Sequence, residues 1–478
     1  MKEITKFAVS NGYSLGALTV GETIEIAKDL GRSVSDVVIA EAMFEKELEY
    51  DEVLNAVEAA FNHNLQAIDV GMSHGKSFLM GQTAKELAEN NFANKIIDDE
   101  FINKALVYTL AAQVGNHSVG LTPCAGTGDS CPYTGLFKAI KEFYGREKAV
   151  KSAAVMLKVG TIFREGKVTT GCNMEGFGAG SAATAAAFVE LLGGTPEAMD
   201  KAIVLSLSPT IANPCTTRVM VAGLCAAHIS GAILNGNLAA KLTMHTSLPI
   251  NVPVDVMVAM AAAVHPVSAK HVVPVVNQYM RAFFKTNNEV ESYIANEIKK
   301  SEQEAIHNTI KAANASVKKL AKASNSIISP FGQAVVGGSS QAVGSPTNTG
   351  RIAHYLTKGN IKKVKIELYP ELFARRGINV PGILMGAVYG SHTGDGDMYH
   401  DVMGKVLSQE IEVEIIAVDE AQVQRVTIET DDVSSMVDAL NRGGGRLVLR
   451  NASPSLEQAR KVALELGIVV VEDERGEA

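Results

Sequence analysis

The strongest constraint on this chain is a change of hydrophobic period near residue 325. Before it, apolar residues recur at helical spacing between clear helix starts. After it, strand-type alternation appears. Gly21-Glu22-Thr23 leads into a helix ending near Gly31, Ser33-Val34-Ser35-Asp36 opens a second, and Tyr50-Asp51-Glu52 opens a third that runs to Ala60. The clearest start is Gly194-Thr195-Pro196-Glu197, where Thr suits the N-cap, Pro the first turn and Glu the positive end of the helix dipole. This helix is expected to end near Leu207, before Ser208-Pro209. Residues 287–322 read as a strongly charged helix outside the core or leading out of it. Beyond them, residues 364–368, 411–416, 426–428, 446–449 and 468–471 read as strands. Helices are expected over 433–441 and 455–466, and a flexible turn at 337–340 before a short helix at 350–353. The expected fold is multidomain: a mainly α-helical N-terminal domain over residues 1–325 and an α/β (α+β) domain over 326–478.

Charge narrows the function classes. The 44 Lys and Arg are scattered against 52 Asp and Glu, a formal charge of −8, which argues against a nucleic-acid surface. Met1-Lys2-Glu3-Ile4-Thr5 lacks the charged-then-apolar pattern of a secretory signal. The most apolar stretch, 252–264, is followed by His265-Pro266; it is too short to cross a bilayer and reads as a buried helix. The expectation is a cytoplasmic protein with no nucleic-acid or membrane partner. In that compartment the five cysteines stay reduced, which favours metal binding or packing over disulfides.

Three of those cysteines lie in distinctive settings: Gly171-Cys172-Asn173-Met174-Glu175-Gly176, Asn213-Pro214-Cys215 and Gly223-Leu224-Cys225. None is in a close C-x-x-C pair. Cys172 falls in the glycine-rich entry to a helix through Ala182–Ala187, Cys215 in the loop after the 195–207 helix, and Cys225 at the start of the next. Backbone N–H groups at such termini are available to cluster sulfides. Three thiolates would leave one iron of a cluster open, and an open iron is a Lewis acid. Burial as small hydrophobes is the alternative.

Other segments carry weaker signals. Gly120-Leu121-Thr122-Pro123-Cys124-Ala125-Gly126-Thr127-Gly128-Asp129-Ser130-Cys131-Pro132 is a run of small and hydroxyl residues before a helix, suited to an anion cradle or to a plain turn. Gly390-Ser391-His392-Thr393-Gly394-Asp395-Gly396-Asp397 lacks the positions that would make it a calcium loop; His392 suits a general base or a solvated loop residue. His74, His117, His228 and His400 are further candidates.

Taken together these segments resemble the iron–sulfur-dependent L-serine dehydratases, with the related L-cysteine desulfidases. The resemblance to the dehydratase α part covers roughly residues 20–280 and is strongest at Gly171-Cys172, at Glu190-Leu191-Leu192-Gly193-Gly194-Thr195-Pro196-Glu197, and at Cys215 and Cys225. It implies a [4Fe–4S] cluster on Cys172, Cys215 and Cys225, and a homodimer. Asn116-His117-Ser118-Val119-Gly120 through Pro123-Cys124-Ala125-Gly126 looks like the family's substrate loop, so Asn116, Thr122, Gly126, Thr127 and Gly128 are candidates for binding the substrate. The C-terminal third looks like the β part, with Gly337-Gly338-Ser339-Ser340 where the family has its serine-rich loop; Ser339 and Ser340 are the matching candidates. Gly377-Ile378-Asn379-Val380-Pro381-Gly382 is closer to the desulfidases.

Departures are equally clear. Gln341-Ala342-Val343 stands where the dehydratases carry Ser-His-Thr, and the Gly-His-Gly-Thr-Asp stretch is missing. Gly476-Glu477-Ala478 lacks the terminal cysteine of some relatives. The expected activity is β-elimination on a small L-amino acid, L-serine giving pyruvate and ammonia, with His392 as the candidate base. L-cysteine desulfidation, elimination from another β-hydroxy amino acid, and a non-catalytic amino-acid sensor are the alternatives.

Overall fold

Side-chain caps set where the early helices begin. Thr19 Oγ1 accepts the Glu22 N–H at 3.0 Å while Glu22 accepts the Thr19 N–H at 2.8 Å, a reciprocal box that starts a helix at Val20. Ser33 accepts from the Asp36 N–H at 3.2 Å, and Thr195 from the Ala198 N–H at 3.1 Å with Pro196 in the first turn. The starts at Ser33 and Thr195 are those read from the sequence, whereas the Thr19 box lies just before the Gly21 start expected there. The structure, a computed structural model, describes residues 1–89, 95–119, 130–165, 177–213, 221–283, 285–323, 333–336, 340–443 and 445–472. The chain divides into two compact units, Met1–Ala315 and Ser316–Ala478.

In chain order the first unit begins α1 (Lys2–Ser10), α2 (Val20–Leu30), α3 (Val34–Lys46), α4 (Tyr50–Ala59), α5 (Asn62–Ser73) and α6 (Thr83–Ala88). It continues α7 (Glu100–Val119), α8 (Cys131–Tyr144), α9 (Arg146–Glu165), α10 (Gly180–Leu191), α11 (Pro196–Leu207) and α12 (Leu224–His245). Then come α13 (Val254–Met280), α14 (Asn288–Glu291) and α15 (Asn296–Ala323), the last spanning the division between units.

The core of this unit is built on small residues. α10 is buried all round from Gly180 to Val189, as its Ala-rich sequence allows. A Cβ at Gly115 of α7 would lie 1.9 Å from the Ala67 carbonyl of α5, and one at Gly71 of α5 would lie 2.0 Å from the Ala111 carbonyl of α7. Only glycine permits that backbone approach.

One sequence expectation is corrected here. The 252–264 stretch is not a short buried helix. α13 continues through Pro266 and Pro274, and only one stripe of it is buried: Val254, Met257, Ala261, His265 and Ser268. Val256, Met260, Val267 and Val275 are exposed. With the turn that follows, the helix at Val254–Phe283 is long and apolar enough to cross a membrane by length and composition. Each proline removes one backbone hydrogen bond and crowds the carbonyl of the preceding turn, at a cost of about 3 kcal/mol in a helix interior.

The second unit carries α16 (Ser340–Leu356), β1 (Ile361–Leu368), α17 (Pro370–Ala374), α18 (Arg376–Tyr389), α19 (Gly396–Ser408), β2 (Glu412–Ala417), β3 (Val423–Thr430), β4 (Ser435–Asn441), β5 (Leu447–Ser453) and α20 (Leu456–Glu465). The strands form one mixed sheet in the order β2-β1-β3-β4-β5, with β1 parallel to β2 and the other neighbours antiparallel.

Three more expectations fail for tertiary reasons. Residues 433–441, expected to be helical, contain strand β4, which pairs on both sides. Its Asp438 stands opposite Arg425 of β3 and is held at 3.0 Å by that guanidinium and at 2.9 Å by Arg450 of β5. Around Gly350 the helix is long rather than short. α16 begins at Ser340 and holds Gly344, Pro346 and Gly350, poor helix formers that serve packing. A Cβ at Gly386 of α18 would meet the Thr347 carbonyl at 2.4 Å, and one at Gly350 the Ile383 carbonyl at 2.8 Å. Residues 468–471 make an isolated bridge, Val470 to Leu447, rather than a strand. Of the turn expected at 337–340, only Ser340 is described, and it is helical.

Glu190 of α10 ties the core to α3: Ser35 Oγ donates to Glu190 Oε1 at 2.6 Å. Burial pushes the Glu190 carboxyl above its ordinary value of 4.5, against the lowering effect of the Ser35 hydrogen bonds. The protonated form is therefore favoured in the fold. Its stabilisation is complete below the unfolded value and is lost as pH rises through the higher folded one. Glu190→Gln stays neutral, so its stability relative to the parent should increase from pH 4 to pH 7, as read by urea unfolding across that range. Parallel pH profiles would refute the assignment.

Candidate functional site

Helix direction decides which residues can meet. Phe177, just before α10, stacks on His228 of α12 with ring centroids 6.1 Å apart. Further along, Thr184 Oγ1 donates to the Ala232 carbonyl at 2.9 Å, and Gly194 lies against Met244. α10 and α12 therefore run parallel, and their first turns lie at the same end. α11 follows α10 after a short connection and packs back along it; Asn235 of α12 donates to the Ser206 carbonyl near the end of α11 at 2.7 Å. The last turn of α11 thus lies against the middle of α12, near the level of Thr184 of α10.

α7 joins from the opposite direction. Phe101 in its first turn meets Phe188, near the far end of α10, at 6.3 Å. α8 runs back antiparallel to α7, with Gly135 against Thr109 and Asn116 Nδ2 donating to Cys131 Sγ at 3.3 Å. The last turn of α7 and the first turns of α8, α10 and α12 consequently share one end of the unit. Cys225, buried in the first turn of α12, is there, and so is Asn116.

The segments 120–129, 166–176 and 214–220 lead, in sequence, into the starts of α8, α10 and α12. They carry Thr122, Gly126, Thr127, Gly128, Cys172 and Cys215, which all lie outside the described residues, as does Ser339. Ser340 is the first residue of α16. Among the described residues no group of three or more His, Cys, Asp or Glu is placed to hold a metal ion.

Two buried amide oxygens lie at this end. Asn116 Oδ1 and Asn64 Oδ1 have no hydrogen-bond partner among the described residues, while Asn64 Nδ2 donates to Ser130 Oγ at 2.6 Å. A buried amide oxygen left unsatisfied is costly, and it fits a donor supplied by a ligand. His117 is fixed by Ser77 and Gln113. Ser77 Oγ accepts the Leu79 and Met80 N–H groups, both at 3.1 Å, so its single hydrogen donates to His117 Nδ1 at 2.7 Å. Nε2 then carries the imidazole proton. Gln113 lies 2.6 Å from it with Oε1 otherwise unpartnered, and a half-turn of that amide gives the proton its acceptor. Sequence reading missed Asn64, Ser77 and Gln113. The only signal for Ser77 was its place after His74 in Ser73-His74-Gly75-Lys76-Ser77.

The second unit holds the other candidates. His392 is exposed in the loop between α18 and α19, and its Nδ1 accepts the Gly394 N–H at 3.1 Å. Partial burial and then the Arg351 cation hold it below the ordinary imidazole value, while Asp395 acts the other way. The neutral ring therefore presents an Nε2–H. The same loop secures residues 334–336: the Val336 N–H donates to the Thr393 carbonyl at 2.9 Å and Thr393 Oγ1 donates to the Ala334 carbonyl at 2.6 Å. Arg351, read from the sequence only as part of a short helix, is 5% exposed. It donates to Asn348 Oδ1 at 3.0 Å and to the Gly390 carbonyl past the end of α18 at 3.4 Å, and it has no carboxylate partner among the described residues.

The hydrogen-bond assignment at His117 is directly measurable. Nitrogen chemical shifts of labelled protein should report the Nε2–H tautomer, and Ser77→Ala should convert it to a mixture; an unchanged tautomer in that variant would contradict the assignment.

No family model matches the chain. Its sequence is similar to the probable L-serine dehydratase, alpha chain, of Bacillus subtilis (strain 168), with 29% identity over 220 residues that span 43% of this chain and 70% of that protein.

Proposed function

We propose that the chain is a [4Fe–4S]-dependent lyase that converts L-serine to pyruvate and ammonia. The observation that carries this reading is the convergence of helix ends. The segments of Cys172 and Cys215 lead in sequence into the starts of α10 and α12, which lie side by side where Cys225 sits, and this suits three thiolates around one cluster. The similarity to a probable L-serine dehydratase alpha chain supports the same chemistry. The donor set fits as well: Cys225 is buried beside the first turn of α12, where backbone N–H groups have no intrahelical acceptor.

In this reading Cys172, Cys215 and Cys225 hold the cluster, which supplies one iron without a protein ligand as a Lewis acid for the substrate β-hydroxyl. The chain's own residues bind and orient. Asn116 offers its buried Oδ1 to the substrate ammonium, an acceptor with no other partner among the described residues. The segment through Thr122, Gly126, Thr127 and Gly128, which leads into the first turn of α8, offers backbone donors to the carboxylate. Ser339 and Ser340 are assigned the same kind of contact. His392 of the second unit is assigned as the base: Nδ1 is its unprotonated nitrogen and takes the Cα proton once it releases the Gly394 N–H. Loss of hydroxide from Cβ leaves an enamine, which tautomerises and hydrolyses to pyruvate and ammonia.

Anaerobically prepared protein should show a broad visible absorption band and about four irons per chain. Cys215→Ser and Cys225→Ser should each abolish the band and the turnover of L-serine. Parallel assays with L-threonine and L-cysteine test the leaving group; faster release of sulfide from L-cysteine than of pyruvate from L-serine would move the assignment to a desulfidase. Binding of L-serine without turnover in protein with an intact cluster would favour a sensor. For the base, kcat/KM for L-serine should fall on the acid side with a midpoint below 6.5. His392→Asn should lower it about a hundredfold or more. A loss under threefold would remove His392 from the chemistry.

A further inference from the structure

A cleft in the first unit lies among residues 16–19, α3, α4, α9 and the start of α13, with a volume of about 690 Å³, in the range of small-molecule sites. Its walls are aliphatic, including Leu18, Val53, Val57, Leu157 and Val258. One ion pair is buried in it: Lys158 Nζ donates to Glu41 Oε2 at 2.6 Å, with side-chain exposures of 14% and 7%. Taking two charges out of water into an apolar cleft is expensive unless each is fully hydrogen-bonded.

Glu41 is fully engaged, since its Oε1 accepts the Leu18 N–H at 2.9 Å. Asp255 at the rim is engaged by Thr19 Oγ1 at 2.6 Å and the Gly21 N–H at 3.0 Å, and Glu45 by Lys46 at 2.6 Å. Lys158 is not. An ammonium has three N–H donors, and among the described residues this one has a single acceptor. Every charge lining the cleft is already matched, while two N–H donors of the mostly buried Lys158, which lines it, have no acceptor among the described residues.

We propose that this cleft binds an uncharged aliphatic molecule carrying one hydrogen-bond acceptor, a carbonyl or hydroxyl oxygen, which Lys158 receives. A carboxylate would add an uncompensated negative charge beside Glu41, and an ammonium could not accept from Lys158. The site is independent of the lyase reading, and its test uses binding alone.

The test is calorimetric titration of the full chain with three probes sharing one chain length: 2-octanone, octanoate and octylammonium. 2-Octanone should bind at least about tenfold tighter than either ion. Two variants check the location. Glu41→Gln with Lys158→Met removes both charges together, avoiding an orphaned one, and should weaken 2-octanone at least about tenfold. Val57→Phe fills the cleft without touching the ion pair and should weaken it similarly. Failure of all three probes to bind, tighter binding of either ion, or unchanged 2-octanone affinity in both variants overturns the proposal.

Discussion

Close parallel packing of α10 against α12 is the contact on which the arrangement of the first unit depends. It works because Gly236 faces Thr184: a Cβ there would stand 2.2 Å from Thr184 Oγ1, so any larger residue would push the helices apart. The Thr184 hydroxyl lies 2.9 Å from the Ala232 carbonyl of the neighbour and 2.8 Å from the Gly180 carbonyl of its own helix, so its one hydrogen is shared between the two helices. With that pair fixed, the short connection to α11 and the antiparallel run of α7 and α8 follow. Helix ends separated by long stretches of sequence then meet at one face. Chemistry placed there draws on N–H groups that helices leave unsatisfied and on side chains from rigid elements.

The molecule deals with buried polar groups in three ways, and the contrast sorts structural from chemical roles. Asp438 is balanced by two arginines on adjacent strands, and Glu190 is satisfied by Ser35. Arg351 is held by neutral oxygens and by the carbonyl end of α18, where a cation is favoured. Asn64 and Asn116, by contrast, leave an amide oxygen with no donor among the described residues. Groups of the first two kinds explain themselves within the fold; those of the third point to something that binds.

Much of this was legible before folding was considered. Thr195-Pro196-Glu197 and Ser33 mark helix starts because a cap is a local bond between residues three apart, written in sequence order. Four strands were visible because alternation is equally local. β4 was not: Met436, Ala439 and Leu440 favour helix by propensity, and only pairing with β3 and β5 and the clamp on Asp438 outweigh it. α16 was hidden for the converse reason, since its Gly and Pro residues look like a turn until α18 packs against them.

At the candidate site the division is the same. The sequence by itself determined the helices, their caps, the order of Cys172, Cys215 and Cys225 and their neighbourhood of glycine and proline, all properties of neighbouring residues. That α10 and α12 run parallel, that α7 finishes where these begin, that Ser77 and Gln113 fix His117, and that Lys158 lies in an aliphatic cleft were decided only by tertiary structure. Each depends on side-chain size and polarity across a contact between distant segments, and periodicity along one helix carries no record of its neighbour.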